Sequence, residues 1–365
     1  MEHIVHLLRL AGERNASDLH LTVNSPPLFR INGALQSLDG FQLLSPEDIT
    51  AAFVELTTPE QREQFYKTLE LDFSYTLTGV GRIRCNVAQQ RGAISFALRL
   101  LPPEIPTVET LGLPPLCKEL AMRPRGLVMV SGPTGSGKST TLAAMIHHIN
   151  AYRTCHVVTI EDPVEYSYPN LRSAITQREL GSDTLSFAGA LKHVLRQDPD
   201  VILVGEMRDL ETAASVLTVA ETGHLVLTTG HAPSASQAME RFIDMFPPEQ
   251  RYLAQARLAS LLIAVLCQTL VPRADGSGRV AAVEIMLGTP AVANLIRDGK
   301  IYQLPNVIRT SIQDGMLTMD QALVNLFLKD MISGESLMSV CNDKEEIENL
   351  VGRVTVPVAA GVAAR

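Results

Sequence analysis

Short apolar runs alternate with helical periods through the second half of the chain. They lack polar alternation, which is typical of strands buried on both faces of a parallel sheet. The runs are Leu127–Val130, His156–Ile160, Val201–Val204 and Leu225–Leu227. Apolar positions recur with helical spacing in Phe187–Leu195, behind a possible Ser186 cap, and in Leu210–Leu217, ahead of Gly223. The alternation predicts an α/β domain with helices on both faces of its sheet.

The first hundred residues show mixed strand and helix signals. The segment Gly81–Leu101 predicts a hairpin, and five prolines then fall between Pro102 and Pro115. Because proline denies hydrogen bonds to helices and sheets, we predict an extended linker over 102–115. The pattern becomes helical from about Pro290 and loses its period at Val354. We therefore expect domains at 1–101 and 116–287, a helical region at 288–353 and a flexible tail at 354–365.

Composition, net charge and cysteine spacing limit the classes of protein to which this chain can belong. Apolar residues make up 46% of the 365 residues, enough for a large core. The net charge of -8 disfavours nucleic acid as the main partner. The longest apolar run, Leu258–Cys267, is shorter than the roughly 20 residues that span a bilayer, so we expect a buried core helix there. The N-terminus does not resemble a signal peptide. The five cysteines form no CxxC pair, which fits a reducing cytoplasm.

The strongest chemical signal is Gly132–Ser139, GPTGSGKS, which matches G-x-x-x-x-G-K-[ST] between an apolar run and a predicted helix. Glycines let backbone N–H groups surround phosphates, and the helix N-terminus adds partial positive charge. Lys138 would reach the β- and γ-phosphates of ATP, and the Ser139 hydroxyl would bind Mg²⁺. The alternative is a glycine-rich turn with a surface lysine. The predicted nucleotide-binding residues are Gly132, Pro133, Thr134, Gly135, Ser136, Gly137, Lys138, Ser139 and Thr140.

Carboxylates follow two of the apolar runs. Glu206 ends the run from Asp200. We expect this strand to lie next to the P-loop strand, where a carboxylate would hold Mg²⁺. Glu161, Asp162 and Glu165 follow another run, and such a cluster needs a cation or water among its members. One of them could orient the attacking water, although a solvated acidic loop is the alternative.

Two histidines and three arginines complete the candidate set. His224 and His231 bracket the run Leu225–Leu227, and either could contact phosphate or serve as a structural donor. Three arginines lie on or beside the predicted hairpin, and they could be exposed, ion-paired or arginine fingers that cross a domain or subunit boundary. They are Arg82, Arg84 and Arg99.

Together these stretches resemble the type II/type IV secretion ATPases, and within them the type IV pilus retraction ATPases. The resemblance covers almost the whole chain and is highly specific. It runs through ASDLHL (16–21), RING (30–33), ELDFSY (70–75), the arginine hairpin, the P-loop, IEDPVEY (160–166), RQDPDVILVGEMRD (196–209), TGHLVLTTGH (222–231) and GMLTMDQAL (315–323). Three of these stretches resemble named motifs of the family. IEDPVEY resembles its Asp box, RQDPDVILVGEMRD its Walker B stretch and TGHLVLTTGH its His box.

The resemblance implies a PAS-like α+β N-terminal domain, then a RecA-like P-loop ATPase domain with a helical C-terminal extension. It implies that Glu165 orients or activates water, that Glu206 binds magnesium and that His231 senses the γ-phosphate with support from His224. The three arginines would include those that the PAS-like domain offers to the nucleotide. The expected assembly is a homo-hexamer at the cytoplasmic face of the inner membrane. It would act on the pilus platform protein, and indirectly on pilin, alongside a possible paralogous retraction ATPase.

Two stretches depart from the family pattern. Where the family reads TTLHTNSA, this chain has Thr228–Ala235, TTGHAPSA, which changes backbone freedom and keeps His231. Where the family reads AIRNLIRE, this chain has Ala291–Asp298, and Ala293 replaces the first arginine. That motif is tied to retraction, so the substitution bears on coupling and leaves the ATPase prediction intact.

Three other functions compete with retraction. A pilus-assembly or type II secretion ATPase shares the same boxes, but usually adds an N-terminal domain and paired CxxC motifs that this sequence lacks. A nucleic-acid translocase is disfavoured by the net charge and by the absence of tryptophan. A non-hydrolysing regulatory subunit would bind nucleotide only, and the intact Lys138, Glu165, Glu206 and His231 argue against it.

Overall fold

The computed structural model describes residues 4–31, 33–101 and 104–355. The chain divides into two compact units. The N-terminal unit runs to Ile105 and includes the separate segment Pro163–Ser167. The second unit comprises Pro106–Asp162 and the residues from Tyr168 onward. Among the described residues, no helix has the length and apolarity that a membrane crossing requires.

An antiparallel sheet in the order β3-β2-β1-β6-β5-β4 forms the N-terminal unit with three helices. The strands are β1 (Asp18–Leu21), β2 (Leu28–Ile31), β3 (Ala34–Ser37), β4 (Glu70–Leu77), β5 (Gly81–Gln90) and β6 (Ala93–Leu100). The helices are α1 (Ile4–Glu13), α2 (Pro46–Leu56) and α3 (Pro59–Thr68). Ser45 and Thr58 each form a capping box, and proline occupies the first turn of α2 and α3.

The predicted hairpin is confirmed as β5 and β6. Its two-residue turn, Arg91–Gly92, has positive φ at both positions, as the type I′ turn requires. Ile83, Cys85 and Val87 of β5 are buried in the core with α1–α3. Since side chains alternate across a strand, Arg82 and Arg84 lie on the opposite face of the sheet.

A seven-stranded sheet organises the second unit, in the order β13-β12-β7-β11-β10-β8-β9. All neighbours are parallel except β12 and β13. The strands are β7 (Gly126–Ser131), β8 (His156–Glu161), β9 (Ala174–Glu179), β10 (Val201–Val204), β11 (Leu225–Thr229), β12 (Leu262–Pro272) and β13 (Arg279–Leu287). The four predicted strands are confirmed as β7, β8, β10 and β11, and the prediction of an α/β fold is confirmed with them. 

Helices cover this sheet and extend beyond it. They are α4 (Leu116–Ala121), α5 (Lys138–Tyr152), α6 (Phe187–Val194), α7 (Leu210–Glu221), α8 (Ala235–Asp244), α9 (Pro248–Leu261), α10 (Pro290–Arg297), α11 (Leu304–Thr310), α12 (Met319–Phe327), α13 (Gly334–Val340) and α14 (Lys344–Thr355). Short 3₁₀ turns lie at Ile301–Gln303 and Ile312–Asp314. The predicted Ser186 cap is confirmed, because its hydroxyl accepts from the N–H of Gly189.

Three expectations about local structure need correction. The apolar run Leu258–Cys267 is not one helix: α9 ends at Leu261, and β12 continues it as a strand paired with β7. The strand β10 is not adjacent to β7, because β11 pairs with both. The linker is not extended throughout. Residues 107–113 form a hydrogen-bonded turn that buries Val108 and Leu113.

Two predicted segments reach beyond the described residues. Residues 102 and 103 of the linker lie outside them, as do residues 356–365 of the predicted flexible tail. Helix α14 ends at Thr355 and so includes the first two residues of that tail.

Helix α10 is amphipathic and carries the stretch that departs from the family pattern at Ala293. Val292 and Ile296 are fully buried in the core of the second unit. Asn294 and Arg297 are exposed, and Arg297 Nη1 donates to Asn294 Oδ1 at 3.1 Å. Ala293 packs partly buried against the core, where the family pattern has an arginine. The buried face therefore explains the apolar positions of α10 by packing alone, and the exposed edge remains available for other contacts.

Asn150, near the end of α5, fastens the loop that precedes β9. Its side chain is fully buried. Oδ1 accepts from the N–H groups of Leu171 and Ser173 at 3.1 and 3.4 Å, and Nδ2 donates to the carbonyl of Pro169 at 2.7 Å. Both ends of the amide are thus satisfied by backbone groups of this loop.

We expect Asn150→Ala to lower the free energy of unfolding by about 2–4 kcal/mol, because it leaves buried backbone groups without partners. Chemical denaturation of the full chain, followed by circular dichroism, measures the change. The control is Asn170→Ala in the same loop, which removes one exposed bond to Ile175 and should cost about 0.5–1.5 kcal/mol. Equal losses in the two variants would contradict the anchoring role of Asn150.

Candidate nucleotide-binding site

The carboxyl ends of four parallel strands meet at one edge of the large sheet. β7 leads into the P-loop, β11 leads into the segment of His231, β10 leads to Glu206 and β8 ends at Glu161. Loops at the carboxyl ends of parallel strands are the usual ligand site of α/β sheets. The topology therefore brings these predicted groups to a common edge.

The P-loop spans residues 132–137 between β7 and α5. Gly137 caps α5 with a φ of 87°, a left-handed conformation that favours glycine. Lys138 is buried, and its Nζ donates to the carbonyls of Gly132 and Pro133, both at 3.0 Å. Ser139 and Thr140 lie in the first turn of α5, where the helix dipole favours an anion.

Two observations fit this loop to a nucleotide. A Cβ at Gly132 would lie 2.3 Å from the carbonyl oxygen of Gln268 and 2.7 Å from Ser136 Oγ, so only glycine fits there. Ser136 Oγ is itself buried without a hydrogen-bond partner among the described residues. An unpartnered buried hydroxyl in a glycine-lined cradle suits a phosphate oxygen.

Gln268 of β12 supports the P-loop from beneath, and the sequence analysis missed it. Its Nε2 donates to the carbonyl of Ser136 at 2.7 Å, and its Oε1 accepts from Thr141 Oγ1 at 2.7 Å. The side chain is buried. No local pattern marks it, because its partners are more than 120 residues away along the chain.

Glu206 lies just beyond β10 and is largely buried, with 14% of its side chain exposed. Its Oε1 is 2.8 Å from Nε of Arg208. Burial raises the pKa of Glu206, the neighbouring Asp162 raises it further, and Arg208 opposes the rise. A divalent cation would stabilise the charged carboxylate, so Glu206 suits the magnesium role together with the Ser139 hydroxyl.

His231 follows β11 in a segment fixed to the P-loop strand. Ser131 Oγ, at the end of β7, donates to the carbonyl of Ala232 and accepts from its N–H, at 2.7 and 3.0 Å. Burial lowers the pKa of His231, and the charges of Lys138, Arg208 and Arg241 lower it further. The imidazole is therefore held towards its neutral form beside the groups that would bind phosphate.

Gly230, where the sequence departs from the family pattern, precedes His231 and lies close to the end of β7. A Cβ there would be 2.9 Å from Ser131 Oγ and 3.2 Å from Met129 Sδ. The absence of a side chain thus lets β11 pack closely on the end of β7.

The structure does not bring His224 to this edge. His224 precedes β11 and so lies at the amino end of the parallel strands, opposite the P-loop. Its Nδ1 is 3.1 Å from the carbonyl of Val219 and 3.0 Å from Thr222 Oγ1, at the end of α7. The expectation that His224 supports the phosphate site of its own chain is therefore corrected: its contacts are those of a helix C-terminal cap.

The acidic cluster is divided between the two units. Glu161 is buried at the end of β8 and accepts from Gln177 Nε2 at 3.3 Å. Asp162 is exposed in the second unit. Glu165 is also exposed, but its segment belongs to the N-terminal unit. The sheet edge therefore supplies Glu206 and His231, while Glu165 is carried by the other unit.

The predicted arginines lie on the face of the N-terminal sheet that faces away from its core. Arg84, Arg99, Asp18 and Arg30 stand opposite one another on β5, β6, β1 and β2, and we call this set the arginine row. Asp18 Oδ1 accepts from Arg99 Nε at 3.0 Å, and its Oδ2 is 3.6 Å from Arg30 Nε. Burial would raise the pKa of Asp18, but the bonds from Arg99 and Ser17 and the Arg99 charge lower it overall.

Arg82 and Arg84 share this face of β5. Arg82 is half-buried and Arg84 is exposed. Arg99 is also exposed but is already paired with Asp18, a contact that no local pattern predicts because Asp18 lies 81 residues away. Arg84 is therefore the member of the predicted trio that we consider for direct contact with a ligand.

Comparison with known proteins agrees with this geometry. The Type II/IV secretion system protein family matches residues 93–322. The chain is 43% identical over 333 residues to the type IV pilus retraction ATPase PilT of Pseudomonas aeruginosa, covering 91% of this chain and 96% of that protein. It is 41% identical over 345 residues to the type IV pilus ATPase PilU of the same organism, covering 94% and 90%.

The fold matches a solved relative over nearly its whole length. The crystal structure of the pilus retraction motor PilT with bound ADP superposes with a TM-score of 0.89, at 42% identity, and covers 96% of this chain and 100% of that one. The relative binds an adenine nucleotide, and the P-loop described above has the geometry to do the same. The chain therefore belongs to the family of type II/IV secretion system proteins, as a PilT-like ATPase.

Proposed function

We propose that this protein is an ATP-driven motor that retracts type IV pili. The observation that carries the proposal is the shared sheet edge, where the P-loop, Glu206 and the His231 segment meet in an ATPase whose fold is that of a pilus retraction motor. A pilus-assembly or type II secretion ATPase is the alternative, and it predicts the opposite cellular phenotype. A regulatory subunit that binds nucleotide without hydrolysis is the alternative from another class.

The residues divide the work of hydrolysis between binding and positioning. Lys138 exchanges the carbonyls of Gly132 and Pro133 for the β- and γ-phosphate oxygens of ATP. The P-loop amides and the start of α5 bind the same phosphates. Ser139 and Glu206 hold magnesium, which neutralises charge on the phosphates when it is bound. His231 donates a hydrogen bond to the γ-phosphate, and Glu165 orients the attacking water.

The N-terminal unit contributes through its arginines. We assign residues 1–101 to a PAS-like domain and residues 116–287 to a RecA-like core, and we propose that six chains form a ring. In that ring, Arg84 and its neighbours Arg82 and Arg99 reach a nucleotide and stabilise the charge that develops on the γ-phosphate. Because Arg99 is held by Asp18, we assign Arg84 the main contact and Arg99 a supporting one.

The cellular assignment follows the relatives. We propose that the ring works in the cytoplasm at the inner membrane, where it acts on the pilus platform protein and so draws pilin from the filament. A second, paralogous ATPase could share this work, as PilT and PilU occur in one organism. The exposed edge of α10, with Asn294 and Arg297, is the proposed coupling surface.

Lys138→Ala should lower the hydrolysis rate of the purified protein by about 100-fold or more, because it removes the charge that would neutralise the β- and γ-phosphates. Phosphate release measures the rate. In cells, the same variant should leave surface pili in place and abolish twitching, since retraction alone is lost. Bald cells would favour the assembly alternative, and normal hydrolysis would end the P-loop assignment.

The two carboxylates should fail in different ways. Glu206→Gln removes the charge that holds magnesium, so nucleotide binding should lose its dependence on magnesium. Glu165→Gln is nearly isosteric and should retain magnesium-dependent binding of ATP, while hydrolysis falls by about 100-fold. Binding of a fluorescent ATP analogue at varied magnesium concentration separates the two. Identical behaviour of both variants would contradict this division.

Arg84→Ala should lower kcat by about 100-fold or more and leave the Kd for nucleotide nearly unchanged, because the arginine acts on charge in the transition state. The matched control is Arg62→Ala. Arg62 lies on α3, which packs on the other face of the sheet, and donates to the carbonyl of Val54. A similar loss of kcat in both variants would show that Arg84 is merely structural.

A further inference from the structure

Glu284 is a buried carboxylate in the middle of β13. Only 8% of the residue is exposed. Its Oε1 accepts from the N–H of Ala235 at 2.7 Å. The backbone N–H of Met319 also stabilises its charge. Ala235 is the first residue of α8, and Met319 is the first residue of α12. One carboxylate therefore interacts with the amino ends of two helices that are remote in sequence.

The first of these helices begins just after the phosphate-contacting segment. Ala235 follows His231 by four residues. Between them, Ala232 is bonded to Ser131 at the end of the P-loop strand. The short segment from His231 to Ala235 is thus fastened to β7 by Ser131 and to β13 by Glu284. Arg241 of α8 adds a bond from Nη1 to the carbonyl of His231 at 3.3 Å.

The strand β13 also pairs with β12, which carries Gln268, the residue that supports the P-loop. Glu284 is opposite Cys267 of β12, and Gln268, the next residue, holds Ser136 and Thr141. A single antiparallel pair of strands therefore carries one polar side chain that fixes the P-loop and another that fixes the His231 segment. The separation between the two phosphate-contacting segments depends on both.

We propose that Glu284 is a positioning residue for hydrolysis: it fixes the start of α8, and through it His231, against β13 and the C-terminal helix α12. This inference rests on the role proposed above for His231. A carboxylate suits the task because the amino ends of both helices carry partial positive charge and unpaired N–H groups. Glu284 itself touches no substrate, so its effect passes entirely through the segment of His231.

The surroundings of Glu284 determine how much free energy it costs to keep its carboxylate charged. Burial raises the pKa of Glu284, the bonds from Ala235 and Met319 oppose the rise, and Asp320 of α12 adds to it. Burying the charged carboxylate costs desolvation free energy, which an uncharged amide of the same size avoids. We therefore expect Glu284→Gln to affect positioning more than folding.

In Glu284→Gln, the side chain keeps one acceptor oxygen for the N–H groups of Ala235 and Met319. Its NH₂ group must then face one of these two donors. We expect kcat to fall about tenfold, since small displacements of positioned groups cost at least that much. The Kd for an ATP analogue should stay within twofold. The control is Asp320→Asn, an equally buried carboxylate that accepts from the amides of Asn342 and Asp343, at 2.8 and 2.9 Å. Its kcat should stay within twofold of the wild-type value.

Ala235→Pro cuts the same bond from the other side. Proline is accepted at the first position of a helix, and Ser234 already has the extended conformation that must precede it. This variant should lower kcat as Glu284→Gln does. The double variant should be no slower than either single one, because both remove one and the same interaction. Additive losses would instead indicate two separate packing defects.

His231→Ala distinguishes failure of this inference from failure of the proposed function. If His231→Ala keeps the full kcat, the γ-phosphate role of His231 is wrong. If His231→Ala is slow and Glu284→Gln is as fast as wild type, only the positioning role of Glu284 is overturned. An equal loss of kcat in Glu284→Gln and Asp320→Asn would also overturn it, since any buried carboxylate would then serve. These measurements use the full-length protein and steady-state phosphate release.

Discussion

The side-chain amide of Gln268 holds the P-loop to β12. The positions of the groups that would bind phosphate depend on these hydrogen bonds. A loop that binds phosphate must keep most of its N–H groups for the ligand, so its own backbone stabilises it only in part, here through the bond from the N–H of Ser136 to the carbonyl of Pro133. Gln268 instead holds the carbonyl of Ser136 and the hydroxyl of Thr141, while its backbone lies against Gly132. The parallel pairing of β12 with β7 makes this contact possible, because it sets the amide directly beneath the loop.

Several ionisable groups lie close together at the same sheet edge, and the charge of each affects the pKa of its neighbours. Burial favours the neutral form of His231, as do Lys138 and Arg208, and Arg208 favours the charged form of Glu206 against burial. In the proposed function, an anionic phosphate with its magnesium ion would change both local fields. The carbonyl contacts of Lys138 and the Arg208–Glu206 pair would then be exchanged for new partners.

Local sequence patterns predicted the elements whose physics is local. The Ser186 cap needs only neighbouring residues to form, the P-loop carries its own glycines, and a buried strand such as Val201–Val204 is marked by its own apolar run although it pairs with distant strands. Side chains that join distant segments gave no such signal. Gln268, Asn150 and Glu284 act on partners that only the fold brings near, as does Asp18 on Arg99. The prediction of one helix over Leu258–Cys267 was wrong for a related reason. A mainly apolar run of this length suits a helix or a strand, and pairing with β7 decides where the helix ends and the strand begins.

The arginine row places like charges opposite each other in the sheet of the N-terminal unit. Arg84 and Arg99 face each other directly across β5 and β6, and like charges in that position destabilise a sheet. Asp18 neutralises Arg99 and approaches Arg30, but no carboxylate stands opposite Arg84, whose other cross-strand neighbour is Ser74. A sheet selected for stability alone would place an acid or a neutral residue at that position. An anion bound at Arg84 would offset the repulsion that Asp18 leaves uncompensated, which is the physical reason for proposing Arg84 as the main contact with a nucleotide.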